Sequence, residues 1–109
     1  MPAFLMALSG SEGYDVDNVS IPAGGFVTLF TLTPGADLDV YLRVIAGGSG
    51  LTICTGDAVA ACTAGYNLPY ATTYKGLVSG MSLDINKSRL IATNDSADAL
   101  ILRAGKKLE

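Results

Sequence analysis

The chain has no histidine and no tryptophan, and only two of its 109 residues are cysteine. Without histidine it cannot form the Ser-His-Asp or Cys-His arrangements that activate nucleophiles, and it lacks a common ligand of transition metals. A zinc site built from thiolates alone needs four cysteines. We therefore expect no catalytic residues, no metal site and no cofactor, so the chain is predicted not to be an enzyme.

Charge is also scarce, because charged residues make up 16% of the chain and give a net charge of −3. Lysine and arginine do not occur in a run of the kind that neutralises phosphates, so we expect no nucleic-acid partner. No segment approaches the roughly 20 consecutive apolar residues that span a bilayer, so we expect no membrane partner. A weakly charged surface favours a homo-oligomer or attachment to a larger assembly.

The clearest pattern in the sequence is a strict alternation of apolar and polar residues from position 37 to 44. The apolar positions are Leu38, Val40, Leu42 and Val44. The residues between them are Asp37, Asp39, Tyr41 and Arg43. Period-two alternation puts the two sets on opposite faces and is typical of a half-buried β-strand.

Similar short runs recur along the chain, separated by glycine, proline and asparagine. They add up to about eight short strands, which predicts an all-β protein with one small antiparallel β-sandwich or barrel. Residues 1–107 are expected to form this single domain. Leu108 and Glu109 are interpreted as the remnant of a purification-tag linker.

Within this scheme Phe4 to Leu8 is expected to form the first strand, and residues 9–18 a loop. Residues 26–33 are predicted to form a central strand, because both of its faces are partly apolar. Residues 70–75, rich in threonine and tyrosine, suit an exposed edge strand. Two antiparallel hairpins are predicted, one turning at Pro34-Gly35 and one at Asn94-Asp95-Ser96.

Cys54 and Cys62 are eight positions apart, with a short loop or hairpin expected between them. Two alternatives remain open. The residues are either two reduced, buried small side chains, which the sequence slightly favours, or a disulfide if their Cα atoms lie within about 7 Å.

Two groups of apolar or aromatic residues are candidates for an interface. Phe4, Leu5 and Met6 form the first group, near the N terminus. Tyr66, Tyr70 and Tyr74 form the second, in which glycine, proline and threonine oppose a helix. The tyrosines could pack in a semi-buried position, line a protein interface or stack against sugar rings.

Several segments carry a resemblance to a known class. They are Gly56-Asp57-Ala58-Val59, Gly65-Tyr66-Asn67-Leu68-Pro69, Lys75-Gly76-Leu77, Gly80-Met81-Ser82-Leu83, Arg89-Leu90-Ile91-Ala92 and Leu100-Ile101-Leu102-Arg103-Ala104. In these segments, roughly the C-terminal half, the chain resembles small structural proteins of tailed phages and prophages. That resemblance implies a β-sandwich that decorates heads or completes tails, usually as a symmetric oligomer and without catalytic residues.

The resulting hypothesis is a structural protein of a phage-like virion that is made in the host cytoplasm and contacts its own copies and other virion proteins. A carbohydrate-binding or adhesion module is the competing hypothesis, because sandwich loops rich in Asp, Asn, Ser and Tyr suit glycans. The fold alone does not decide between them.

Overall fold

Eight β-strands supply nearly all the regular structure of residues 11–108, the range that this computed structural model describes. They are β1 (Tyr14–Ile21), β2 (Phe26–Thr31), β3 (Asp39–Ala46), β4 (Leu51–Gly56), β5 (Tyr66–Leu68), β6 (Thr73–Leu77), β7 (Arg89–Thr93) and β8 (Leu100–Lys107). Within this range the helical structure is a single 3-10 turn at Val78–Met81. The predicted strand from Phe4 to Leu8 lies outside the described residues.

The strands form two four-stranded antiparallel sheets. Sheet A has the order β1-β8-β3-β6, and sheet B has the order β2-β7-β4-β5. Successive strands change sheet at every connection except the one between β4 and β5, and two four-stranded sheets with these strand orders make a jelly roll. The prediction of an all-β sandwich of about eight strands is therefore confirmed.

Both predicted hairpins are wrong, because the strands on either side of each turn belong to different sheets. The Pro34-Gly35 turn forms, and the Ala36 N–H donates to the Thr33 carbonyl at 2.9 Å. However, the turn links β2 of sheet B to β3 of sheet A, and the loop at Asn94 likewise links β7 to β8. Alternation shows which face of a strand is buried, but it does not select the strand's hydrogen-bonded neighbour.

The core lies between the two sheets and is made of aliphatic side chains from both. Its buried members are Ile21, Leu32, Val40, Leu42, Val44, Leu51, Ile53, Leu68, Val78, Met81, Leu90, Ala92, Leu100, Leu102 and Ala104. The alternation predicted for residues 37–44 is confirmed at its last three apolar positions, Val40, Leu42 and Val44, which are fully buried.

Two further predictions need correction. Residues 14–18 belong to β1 and not to a loop, because β1 pairs with β8 at eight successive positions, and this ladder outweighs the low strand propensity of Asp and Asn. The strand β2 lies at the edge of sheet B and not at its centre, with an irregular register between Thr28 and Phe30. The edge position predicted for residues 70–75 agrees with β6, the last strand of sheet A.

Asn94 fixes the connection that carries the chain from sheet B to sheet A. Its side chain is fully buried, and its amide donates to the carbonyls of Ile21, Pro22 and Asp98 at 3.0, 3.2 and 2.8 Å. Its side-chain oxygen accepts from the Ser96 N–H at 2.9 Å and from the Ser96 hydroxyl at 2.6 Å. One buried amide thus satisfies backbone groups of two separate connections.

Candidate interaction surfaces

Most outward positions of sheet A are exposed or half-buried, Tyr41 being the buried exception, and we call this side the open face. Its outward positions follow from the strand registers and the burial pattern. They are Tyr14, Val16, Asn18 and Ser20 on β1, Asp39, Tyr41 and Arg43 on β3 with the bulge residue Ile45, Thr73, Lys75 and Leu77 on β6, and Ile101, Arg103 and Lys107 on β8.

Two arginines lie directly opposite each other near the middle of the open face. Arg43 of β3 and Arg103 of β8 are register partners. The Arg43 guanidinium donates to the Thr73 hydroxyl at 3.1 Å. Among residues 11–108, no carboxylate lies within ion-pair distance of either arginine. Like charges in a cross-strand pair are destabilising, so this arrangement costs the isolated subunit stability.

Large apolar side chains are exposed beside the arginine pair. Ile45 is the extra residue where β3 shifts register against β8, and Ile101 lies next to it. Both are exposed, and Leu77 at the edge of the same face is 46% exposed. Neighbouring apolar side chains on a polar background are typical of surfaces that bind another protein.

One corner of the open face is held by Asp39. The Tyr14 hydroxyl donates to the Asp39 carboxylate at 2.6 Å, and the Lys107 ammonium lies 3.8 Å from the same group. The Tyr14 ring also packs against Tyr41, with centroids 6.0 Å apart, and Tyr41 is almost completely buried. Burial, together with the hydrogen bond to Asp39, raises the pKa of Tyr14 from 10.0 to about 12.

Charge is unevenly distributed between the open face and the rest of the chain. Outward positions of sheet A hold four of the seven Lys and Arg residues but one of the ten acidic residues. The face therefore carries +3, and the remainder of the chain carries −6 to give the total of −3. The subunit thus has a cationic side on an acidic body.

The outward side of sheet B is partly covered by residues 57–64, which we call the flap, while Phe26 on β2 stays exposed. Cys54 on β4 and Cys62 in the flap form a disulfide with Cα atoms 5.8 Å apart. The Cys62 N–H donates to the Thr93 hydroxyl of β7 at 2.7 Å, which holds the flap over Ile91. The flap's own outer surface is apolar and includes Val59, which is 57% exposed.

A groove of about 240 Å³ lies beside the flap on the same side of sheet B. Its lining includes Thr52, Asn67, Thr93 and Ser96, together with the Asp95 carboxylate. The Thr52 hydroxyl donates to the Asn67 side-chain oxygen at 3.2 Å. Because Thr93 both lines the groove and binds the flap, the acidic groove and the apolar flap are adjacent.

The structure places the predicted tyrosines in two environments. Tyr66 and Tyr74 pack edge to face with ring centroids 5.5 Å apart, and both contact the core. Tyr70 is exposed in the connection between β5 and β6. The structure therefore pairs the rings of Tyr66 and Tyr74 and leaves Tyr70 apart from them. The three rings do not form one exposed surface on which a sugar could stack.

The candidate residues near the N terminus, Phe4, Leu5 and Met6, lie outside the described residues. Sequence reasoning missed the arginine pair and the groove, since each unites residues far apart in the chain. A signal for the pair was available in principle, because Arg43 lies on the polar face of the best-defined strand.

Within residues 11–108 the side chains of Cys, Asp and Glu nowhere gather in threes as a metal site would require. In the same range, no helix is long enough and apolar enough to cross a bilayer.

No protein-family model and no curated protein matches the sequence. Among solved structures, the fold is similar to a chain from the structure described as "Bacillus endospore appendages form a novel family of disulfide-linked pili". The two share 17% identity with a TM-score of 0.42, over 88% of this chain and 89% of that chain. A likeness of this degree does not establish a family or a function.

Proposed function

We propose that this chain is a non-enzymatic structural subunit that associates with copies of itself through its sheet surfaces. The observation that carries the proposal is the open face, where an unneutralised arginine pair lies beside the exposed side chains of Ile45 and Ile101. Such a face is costly for an isolated subunit and becomes favourable once a partner supplies acceptors and covers the apolar groups.

The setting that we propose is a phage-like particle, in which the subunit decorates a head or is associated with a tail. The jelly roll supports a particle role in a general way, since it serves in many viral capsid domains, although a fold does not determine a function. The Cys54–Cys62 disulfide supports a place of action outside the reducing cytosol, where such bonds persist.

Self-association is tested on the full chain under non-reducing conditions by analytical ultracentrifugation over a range of concentrations. We expect concentration-dependent species larger than the 11.2 kDa monomer. A strict monomer up to high micromolar concentration would contradict the proposal. The particle setting is tested separately by mass spectrometry of purified particles from the source culture, where absence of the chain from all of them excludes the virion role.

A glycan array tests the competing hypothesis that the chain binds glycans. The competing hypothesis places Tyr66 and Tyr70 against sugar rings, but Tyr66 packs against Tyr74 and the core. Saturable binding of one glycan class that is lost in Tyr70→Ala would replace self-association as the leading function.

A further inference from the structure

We propose that copies of this chain stack front to back, with the arginine pair of one copy bound in the Asp95 groove of the next. The inference rests on the proposed self-association and names the two surfaces that meet. It follows from a match between the open face and the flap side of the molecule in charge and in apolar content.

The charges match because each surface lacks what the other offers. Arg43 and Arg103 present guanidinium donors without a carboxylate partner among residues 11–108. The groove presents the Asp95 carboxylate with the side-chain oxygens of Asn67 and Ser96 as neighbouring acceptors. Asp95 has no ion pair in the described chain, whereas Asp57 of the flap is already paired with Lys87 at 3.6 Å. Guanidinium groups form their strongest contacts with carboxylates.

Each surface also has apolar groups beside its charged groups. On the open face, Ile45 and Ile101 lie beside the arginine pair. On the opposite side, the exposed flap residue Val59 belongs to the segment next to the groove. When the groove of one copy covers the arginine pair of another, the flap of the first copy can therefore contact Ile45 and Ile101 of the second.

The two surfaces lie on opposite sides of the sandwich, since one is the outside of sheet A and the other the outside of sheet B. A contact between them is heterologous, and each added copy leaves one surface of each kind free. Contacts of this kind form rings if the rotation between copies closes and filaments if it does not. A face-to-face dimer through two open faces would instead bring four arginines together.

The test uses two charge-reversed chains. The front variant carries Arg43→Glu and Arg103→Glu, and the back variant carries Asp95→Arg. Alone, each variant brings like charges together at every contact, so we expect the apparent dissociation constant to rise about tenfold or more in both. Mixed in equal amounts, the variants can alternate, because the reversed front meets the reversed back and the native front meets the native back. The mixture is therefore expected to regain large species.

Matched controls place the same charge changes elsewhere. Lys106→Glu equals the single reversal Arg103→Glu in net charge, and Asp17→Arg equals the back variant. Both controls should assemble within about threefold of the unmodified chain at the same salt concentration, since long-range charge is screened. Circular dichroism and thermal melting establish that every variant is folded before sedimentation is compared.

The outcomes separate this inference from the proposed function. If the unmodified chain never associates, both fail. If it associates but the reversed variants assemble like their controls, self-association stands and the front-to-back contact is wrong. Loss of assembly in each variant without recovery in the mixture also overturns the pairing, because it shows that the two surfaces do not meet each other.

Discussion

Both sheets have four antiparallel strands and contribute to one core, but their outward sides differ. Sheet B is partly covered by its own chain, because the flap lies over Ile91 and is tied down by the Cys54–Cys62 disulfide and by Thr93. Sheet A has no such cover among the described residues and keeps its arginine pair and isoleucines at the surface. The difference is the one that the proposed self-association would use, because the flap lies over part of sheet B while the arginine pair of sheet A has no such cover among residues 11–108.

The difference between the two sides also depends on the connections between the sheets, and Asn94 joins two of these connections through its hydrogen bonds. Asn94→Ala should lower the free energy of unfolding by about 3 kcal/mol, because it removes three donated bonds and leaves buried carbonyls unsatisfied. Urea denaturation measures the change. The exposed residue Asn67 provides the control, since Asn67→Ala loses one surface contact and should cost less than about 1 kcal/mol. Equal costs at the two positions would contradict the role given to Asn94.

Removing the disulfide should make the covered side resemble the open side. Cys54→Ser combined with Cys62→Ser is expected to lower the free energy of unfolding by about 2–3 kcal/mol, as the short loop loses its closure. Amide exchange should rise in the flap and at Ile91, but not at the central strands of sheet A. Reductant should have the same effect on the unmodified chain and none on the double variant. If exchange rises equally in both sheets, the flap is not a local cover.

Replacing one arginine should stabilise the open face while impairing its proposed use. Arg43→Glu converts the like-charge pair into an ion pair with Arg103, and we expect the isolated subunit to gain about 0.5 kcal/mol. Measurement below the concentration at which copies associate separates this gain from assembly. Arg43→Gln is the intermediate control, which removes the repulsion without adding a carboxylate. A loss of stability in both variants would show that the pair is not repulsive.

Tyr14 tests the corner of the open face by pH. Its pKa is raised to about 12, so the folded state favours the neutral phenol that donates to Asp39. The resulting stabilisation is complete below pH 10 and is lost as the pH rises from 10 to about 12. Tyr14→Phe should remove this part of the decline, whereas Tyr70→Phe at an exposed position should not. Denaturation midpoints across this pH range provide the measurement.

Sequence patterns predicted the strands more reliably than their partners. The alternation around Val40 and Leu42 identified the buried face of β3, because burial of one face imposes a period of two on any strand. The same pattern gave no information on pairing, and both predicted hairpins failed because loops of a few residues can cross between sheets as easily as they can return within one. Six of the seven connections cross in this way.

The surfaces could be predicted only in part. The association predicted from low charge stays a prediction. Of the three tyrosines grouped as interface candidates, the structure pairs Tyr66 with Tyr74 and leaves Tyr70 exposed. The pairing of Arg43 with Arg103 could not be predicted, because 60 positions separate them in the sequence and only the register of β3 against β8 makes them neighbours. The position of Asp95 beside Asn67 has the same origin.

By itself the sequence determined a histidine-free, weakly charged chain of short strands whose apolar side chains demand a two-layer core. These are local properties, set by residue type and by the alternation of side chains along each strand. The tertiary structure decided which strands pair, which sheet the flap covers and which charges stand opposite each other. Those choices depend on hydrogen bonds and packing between segments that are distant in the sequence. Local sequence patterns do not predict such contacts.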